Sequence, residues 1–73
     1  MKDIKPIIAV NLSNLRKEKG LTQAELAEHT GLTLSYISQL ESPNLPYCPS
    51  VKAIFTIAKA LGIKAYKILD IDD

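Results

Sequence analysis

Two helix starts set close together constrain this chain more than any other feature. In "TQAE", Thr22 can accept from the amide of Glu25, while Glu25 reaches back to Thr22. That reciprocity is a capping box. Leu21 and Leu26 hold the apolar positions that brace such a start. Eleven residues on, Thr33 stands as a second cap, braced by Leu32 and Ile37. Gly31 lies between them and ends the first helix after about two turns. Little slack remains, so the two helices must turn tightly and cross steeply over about residues 22–41.

The rest of the chain repeats the helical period. Ile8, Leu12 and Leu15 fall at i, i+4 and i+7, one face of a first helix. Pro6 suits its opening turn, where no amide donor is needed. Gly20 ends it as a left-handed cap. Ser50 caps a fourth helix, in which Val51, Ile54, Ile57, Ala58 and Leu61 are expected to face inward before Gly62. A fifth, about Ala65 to Leu69, offers Ile68 and Leu69. "SPNLPYCP" carries three prolines and reads as a stiff extended loop between helices three and four. No alternation with period two persists. The expectation is an all-α, five-helix domain containing a helix-turn-helix, with residues 70–73 frayed.

With 73 residues, the chain is expected to form one domain, residues 1–73, near the lower limit for a single core. Apolar residues make up 47%, enough for that core, and with few aromatics it must be built of Leu, Ile, Val and Ala. Pro6 breaks the first residues before any secretory pattern can form. No window nears the roughly 18 apolar residues of a membrane span. Cys48 is the only cysteine, so no internal disulfide and no cysteine-based metal site are expected. These features point to the reducing cytoplasm. There is no nucleophile–base pairing, metal-ligand spacing or glycine-rich phosphate loop. No catalytic residue, metal, cofactor or small-molecule substrate is therefore expected, and the protein does not read as an enzyme.

The net charge of +1 conceals a pattern. Residues 1–19 carry +3, residues 20–50 carry −3, residues 51–69 carry +4 and residues 70–73 carry −3. Two basic segments thus flank a hinged pair that holds no Lys or Arg.

Three blocks resemble the Cro/CI-type (XRE-like) helix-turn-helix proteins. "IAVNLSNLRKEKGLTQ" is similar to that family's first helix. "TQAELAEHTGLTLSYISQLE" carries its Gln-x3-Ala-x3-Gly core at Gln23, Ala27 and Gly31, followed by Ile37 and Leu40-Glu41. "PSVKAIFTIAKALGI" is similar to its fourth helix. The resemblance spans about residues 8 to 63. It implies a lambda-repressor-like five-helix fold that binds double-stranded DNA, usually as a homodimer. It places base-reading positions on Leu34, Ser35, Ser38 and Gln39, and pairs Arg16 with Glu41 in a structural ion pair. The chain departs from the family in two places. Asn11 and Ser13 stand where Arg is common, and the loop after helix three is longer and lacks the usual Gly with Lys or Arg.

A helical wheel through the third helix sets Ile37 and Leu40 on one side and Ser35, Ser38, Gln39 and Ser42 opposite. That neutral, compact face suits base edges in a major groove, where an amide such as Gln39 can bond adenine N6 and N7 together. Leu34 reads either as a thymine-methyl contact or as packing. Thr22, Gln23, Thr33 and Tyr36 are candidates for neutral phosphate contacts, with a ring packed on the loop as the second reading of Tyr36. Lys17, Lys19 and Lys52, with Lys2 or Lys5, would supply the Coulomb attraction. Glu25 and Glu28 are expected to face away from DNA. Ala65, Ile68 and Ile71 are expected at a dimer contact. Tyr47 and Phe55 read as core or dimer contacts, His29 as an exposed spectator, and Cys48 as a plain thiol. The alternative reading is a protein-interaction module that binds a toxin or another regulator and has weak DNA affinity.

Overall fold

The computed structural model describes residues 3–70. Four α-helices follow one another: α1 (Lys5–Glu18), α2 (Gln23–Thr30), α3 (Leu34–Leu40) and α4 (Val51–Leu61). A 3₁₀ turn at Ala65–Lys67 completes the order, and the described residues contain no strand. The α2–α3 pair lies over α1 and α4, and the core fills the space between them.

Each start is set by residues within one turn of it. The Thr22 hydroxyl accepts from the Glu25 amide at 3.0 Å, and the Glu25 carboxylate accepts from the Thr22 amide at 2.9 Å. Thr33 caps α3 through the Tyr36 amide, and Ser50 caps α4 through the Ala53 amide. Gly31 sits at φ 76, the left-handed conformation that a side chain would strain, although open space surrounds the site of a Cβ. The requirement there is conformational, not steric. Thr30 tightens the same turn: its hydroxyl donates to the Leu26 carbonyl at 2.8 Å and accepts from the Leu32 amide.

The core joins Ile8 and Leu12 of α1, Leu26 and Ala27 of α2, Ile37 and Leu40 of α3, and Ile54, Ile57, Ala58 and Leu61 of α4. Leu15, Leu21 and Leu32 pack against it from the margins.

The structure corrects three expectations. Among the described residues there are four α-helices, not five. From Lys64 onward the backbone bonds run from Lys67 to Lys64, Ile68 to Ala65 and Leu69 to Tyr66. Every one spans three residues, so the segment is a single tight turn with no room to propagate an α-helix. Second, Val51 does not face inward; it is 71% exposed. It is the first residue of α4 and lies about 90° round the helix from the centre of the buried stripe. Third, Ile68 is not a surface residue available to a dimer. It is fully buried in the core cluster, because the 3₁₀ turn folds it back beneath α1 and α4. Ile71 lies outside the described residues, as do residues 72–73 of the expected frayed tail and Lys2.

Candidate nucleic-acid interface

The outer side of α3 is where the wheel puts it. Ile37 and Leu40 are buried, while Leu34, Ser35 and Ser38 are exposed and Gln39 is partly exposed. The Ser42 hydroxyl donates to the Ser38 carbonyl at 2.7 Å, so that side chain is turned back on the helix end. No charged side chain belongs to α3 itself. The resulting face is short, neutral and able both to donate and to accept.

The threonine caps differ in the chemistry they leave to spare. The Thr33 hydroxyl spends an acceptor position on the Tyr36 amide and keeps its own hydrogen for an outside oxygen, whereas the Thr22 hydroxyl accepts from the Glu25 amide and also serves the Glu25 carboxylate. Both residues are exposed. Tyr36 is partly buried and packs against the core margin; it borders a depression that Lys52 and Thr30 also line. A cation and a phenol therefore share one hollow beside the α2–α3 turn. Lys17 and Lys19 are exposed at the end of α1, where the Gly20 amide bonds the Lys17 carbonyl immediately before Thr22. Glu25 and Glu28 are also exposed. The Glu25 carboxyl is held below its ordinary value by the backbone amide of Thr22 and then by its hydroxyl.

Beneath this surface lies a polar hub. Arg16 Nε donates to Glu41 Oε2 at 2.8 Å and Nη2 donates to Oε1 at 2.9 Å. Arg16 Nη1 also bonds the Leu21 carbonyl, at 2.6 Å. Gln23 Nε2 adds a bond to Glu41 Oε1 at 3.0 Å. The Arg16 guanidinium is held above its ordinary pKa, chiefly by the Glu41 hydrogen bond, against the opposing effect of burial. α1, the start of α2 and the end of α3 are thus bound at one carboxylate. Gln23 lends its amide nitrogen to that hub and is not free to turn wholly outward.

Two polar residues have roles that the sequence did not reveal. Lys5, considered above for Coulomb attraction, is only 3% exposed. Its ammonium donates to the carbonyls of Gln39 at 3.3 Å, Ser42 at 2.8 Å and Leu45 at 2.9 Å. Its register was the available signal: Lys5 shares the buried side of α1 with Ile8, Ala9, Leu12 and Arg16. Asn11 donates to the carbonyls of Ile68 and Asp70, tying the last described residues to α1. Tyr47 and Phe55 are exposed, so neither belongs to the core; Cys48 is an exposed free thiol. Ala65 is partly buried and packs on the core cluster. No described helix is long and apolar enough to cross a membrane.

Comparison with known proteins agrees with this architecture. A helix-turn-helix family model matches residues 12–68. An uncharacterized HTH-type transcriptional regulator, y4dJ of Sinorhizobium fredii (strain NBRC 101917 / NGR234), is 33% identical over 67 residues, 92% of this chain and 84% of that protein. The HTH-type transcriptional regulator SinR of Bacillus subtilis (strain 168) is 34% identical over 64 residues, 88% of this chain. The chain spans only 57% of SinR's length. A crystal structure of SinR, described as the master regulator for biofilm formation in complex with DNA, superposes with a TM-score of 0.79 at 35% identity, over 86% of this chain and 98% of that one. The crystal structure of the hypothetical transcription factor NHTF from Neisseria gives a TM-score of 0.81 at 34% identity, over 92% and 75%. With a family model matched over residues 12–68 and relatives about one third identical over most of its length, the chain belongs to the Cro/CI-type, XRE-like helix-turn-helix family.

Proposed function

We propose that this protein is a sequence-specific DNA-binding transcriptional regulator. The observation that carries the reading is the outer face of α3, neutral and exposed at Leu34, Ser35 and Ser38, with Gln39 partly exposed beside them. Such a surface can enter a major groove without a charge cost, and its groups match base-edge donors and acceptors. Its relatives are transcriptional regulators by name, and one of them was crystallised with DNA.

In this reading Leu34, Ser35, Ser38 and Gln39 face the bases. Thr22, Thr33 and Tyr36 give neutral hydrogen bonds to phosphates. Lys17, Lys19 and Lys52 give the Coulomb attraction, and Gln23 offers the backbone the second hydrogen of its amide nitrogen. Because Lys5 is sealed, fewer cations serve the phosphates, which implies a shallow salt dependence. Two copies acting together would offset that. Their contact is assigned to Ala65 and the exposed Tyr66 and Leu69 beside it. A pair of copies would read half-sites about 34–36 Å apart, or multiples of that, on a near-palindromic operator in the cytoplasm.

Selection of bound duplexes from a random pool tests the proposal. Enriched, near-palindromic sequences are the expected result. If no sequence is enriched at low salt, the reading fails and a partner-binding role takes its place.

A further inference from the structure

We infer that Lys5 is a positioning residue for base recognition: its buried ammonium fixes the last turn of α3 and so sets where Gln39 meets the DNA. The inference rests on the DNA-reading proposal above.

The last carbonyls of any helix lack intrahelical donors, and α3 has only seven residues. The chain that follows supplies few and long ones: the Ser42 amide reaches the Gln39 carbonyl at 3.3 Å and the Leu45 amide the Ser42 carbonyl at 3.2 Å. Pro43, Pro46 and Pro49 have no N–H to give. An ammonium has three donors and no acceptor. Lys5 spends all three on carbonyls from this one region, those of Gln39, Ser42 and Leu45. Its positive charge also meets the negative end of the α3 dipole. The long loop that lacks Lys and Arg of its own is thereby organised by a lysine 34 to 40 residues away in sequence.

Geometry links this clamp to recognition. The carbonyl of Gln39 belongs to the residue whose side chain is proposed to read a base, and Ser42 is the next residue on that face. Arg16 holds the same helix end through Glu41. Helix α1 therefore grips α3 at two points, one through a side chain and one through the backbone. Without Lys5, the Arg16–Glu41 pair still docks α3 on the core, but the Gln39 carbonyl keeps only the 3.3 Å bond from the Ser42 amide and the Ser42 carbonyl only the 3.2 Å bond from the Leu45 amide. Base reading depends on tight placement, whereas phosphate attraction tolerates displacement.

The test compares wild type with Lys5→Met, which keeps most of the apolar stem. Dissociation constants are measured for the selected duplex, for single-base variants of it and for random duplex across a salt series. The expected result is a loss of specific-over-random preference on the order of tenfold, concentrated at the base pair that Gln39 reads, with the salt slope unchanged. A slope reduced by about one would make Lys5 a phosphate contact and overturn the inference. An unchanged preference would overturn it too. A wild type with no preference among duplexes overturns the DNA-reading proposal itself, and this one with it. If Lys5→Met does not fold, Lys5→Gln, with two N–H donors, is measured against the same outcomes. Independently, the Lys5 ammonium of the wild-type protein should exchange its protons with water far more slowly than that of Lys17. Equal rates would remove the clamp.

Discussion

Arg16 and Glu41 stand 25 residues apart in the sequence and meet through two parallel hydrogen bonds, one to each carboxylate oxygen. Their side chains are 9% and 4% exposed. Water therefore cannot substitute for either partner, and Gln23 and the Leu21 carbonyl satisfy part of what remains. Removing one partner strands a buried charge. Arg16→Met is expected to cost about 3–5 kcal/mol in urea denaturation. Replacing both partners with apolar residues of similar volume should recover much of that loss. A cost below about 1 kcal/mol would place the pair with exposed ion pairs.

Gln39 is expected to read one base pair. Gln39→Ala should lose about 1–3 kcal/mol of discrimination at a single operator position while leaving the others intact. Competition binding with operators changed one base at a time measures this. Full discrimination in the mutant would take the reading role from Gln39.

Lys52 is expected to act on charge alone, since it is exposed in the hollow beside Tyr36. Lys52→Ala should weaken binding to every sequence alike and lower the salt slope by roughly one. An unaltered slope would remove it from the phosphate contacts.

Ile68 separates packing from association. Because it is fully buried, Ile68→Ala should cost about 2–5 kcal/mol of stability. Leu69→Ser, on the exposed side of the same turn, should instead weaken self-association in analytical ultracentrifugation and leave unfolding nearly unchanged. The reverse pattern would relocate the dimer contact.

The capping box gives stability a dependence on acid. Glu25 is held below its ordinary value of 4.5 by the Thr22 amide. Its contribution is fully present above that ordinary value, and it is lost as the pH falls through the lower, folded-state value. The stability gap between wild type and Glu25→Gln should therefore narrow on acidification. A gap constant with pH would mean that the carboxylate charge adds nothing to the cap.

The sequence by itself determined the starts of α2, α3 and α4 and the hinge. Thr22 with Glu25, Thr33 and Ser50 bond amides no more than three residues away, and Gly31 answers to its own φ. Interactions of such short range can be read without knowing what lies across the core. The Arg16–Glu41 pairing was visible only because a whole family's motif carries it, whereas the side of α3 left open by Ile37 and Leu40 followed from the helical period. Tertiary structure alone decided the rest. Lys5 is a buried residue only because the Gln39 carbonyl of α3 and the Ser42 and Leu45 carbonyls of the following loop arrive around it. Gln23 is half occupied because Glu41 comes within 3.0 Å. Val51 is bare because it lies about 90° round α4 from the stripe that meets the core, and Ile68 is buried because a three-residue turn, not a helix, carries it inward. In each case the side chain's role depends on a partner distant in the chain, and the free energy of burying or satisfying it exists only once that partner is in place.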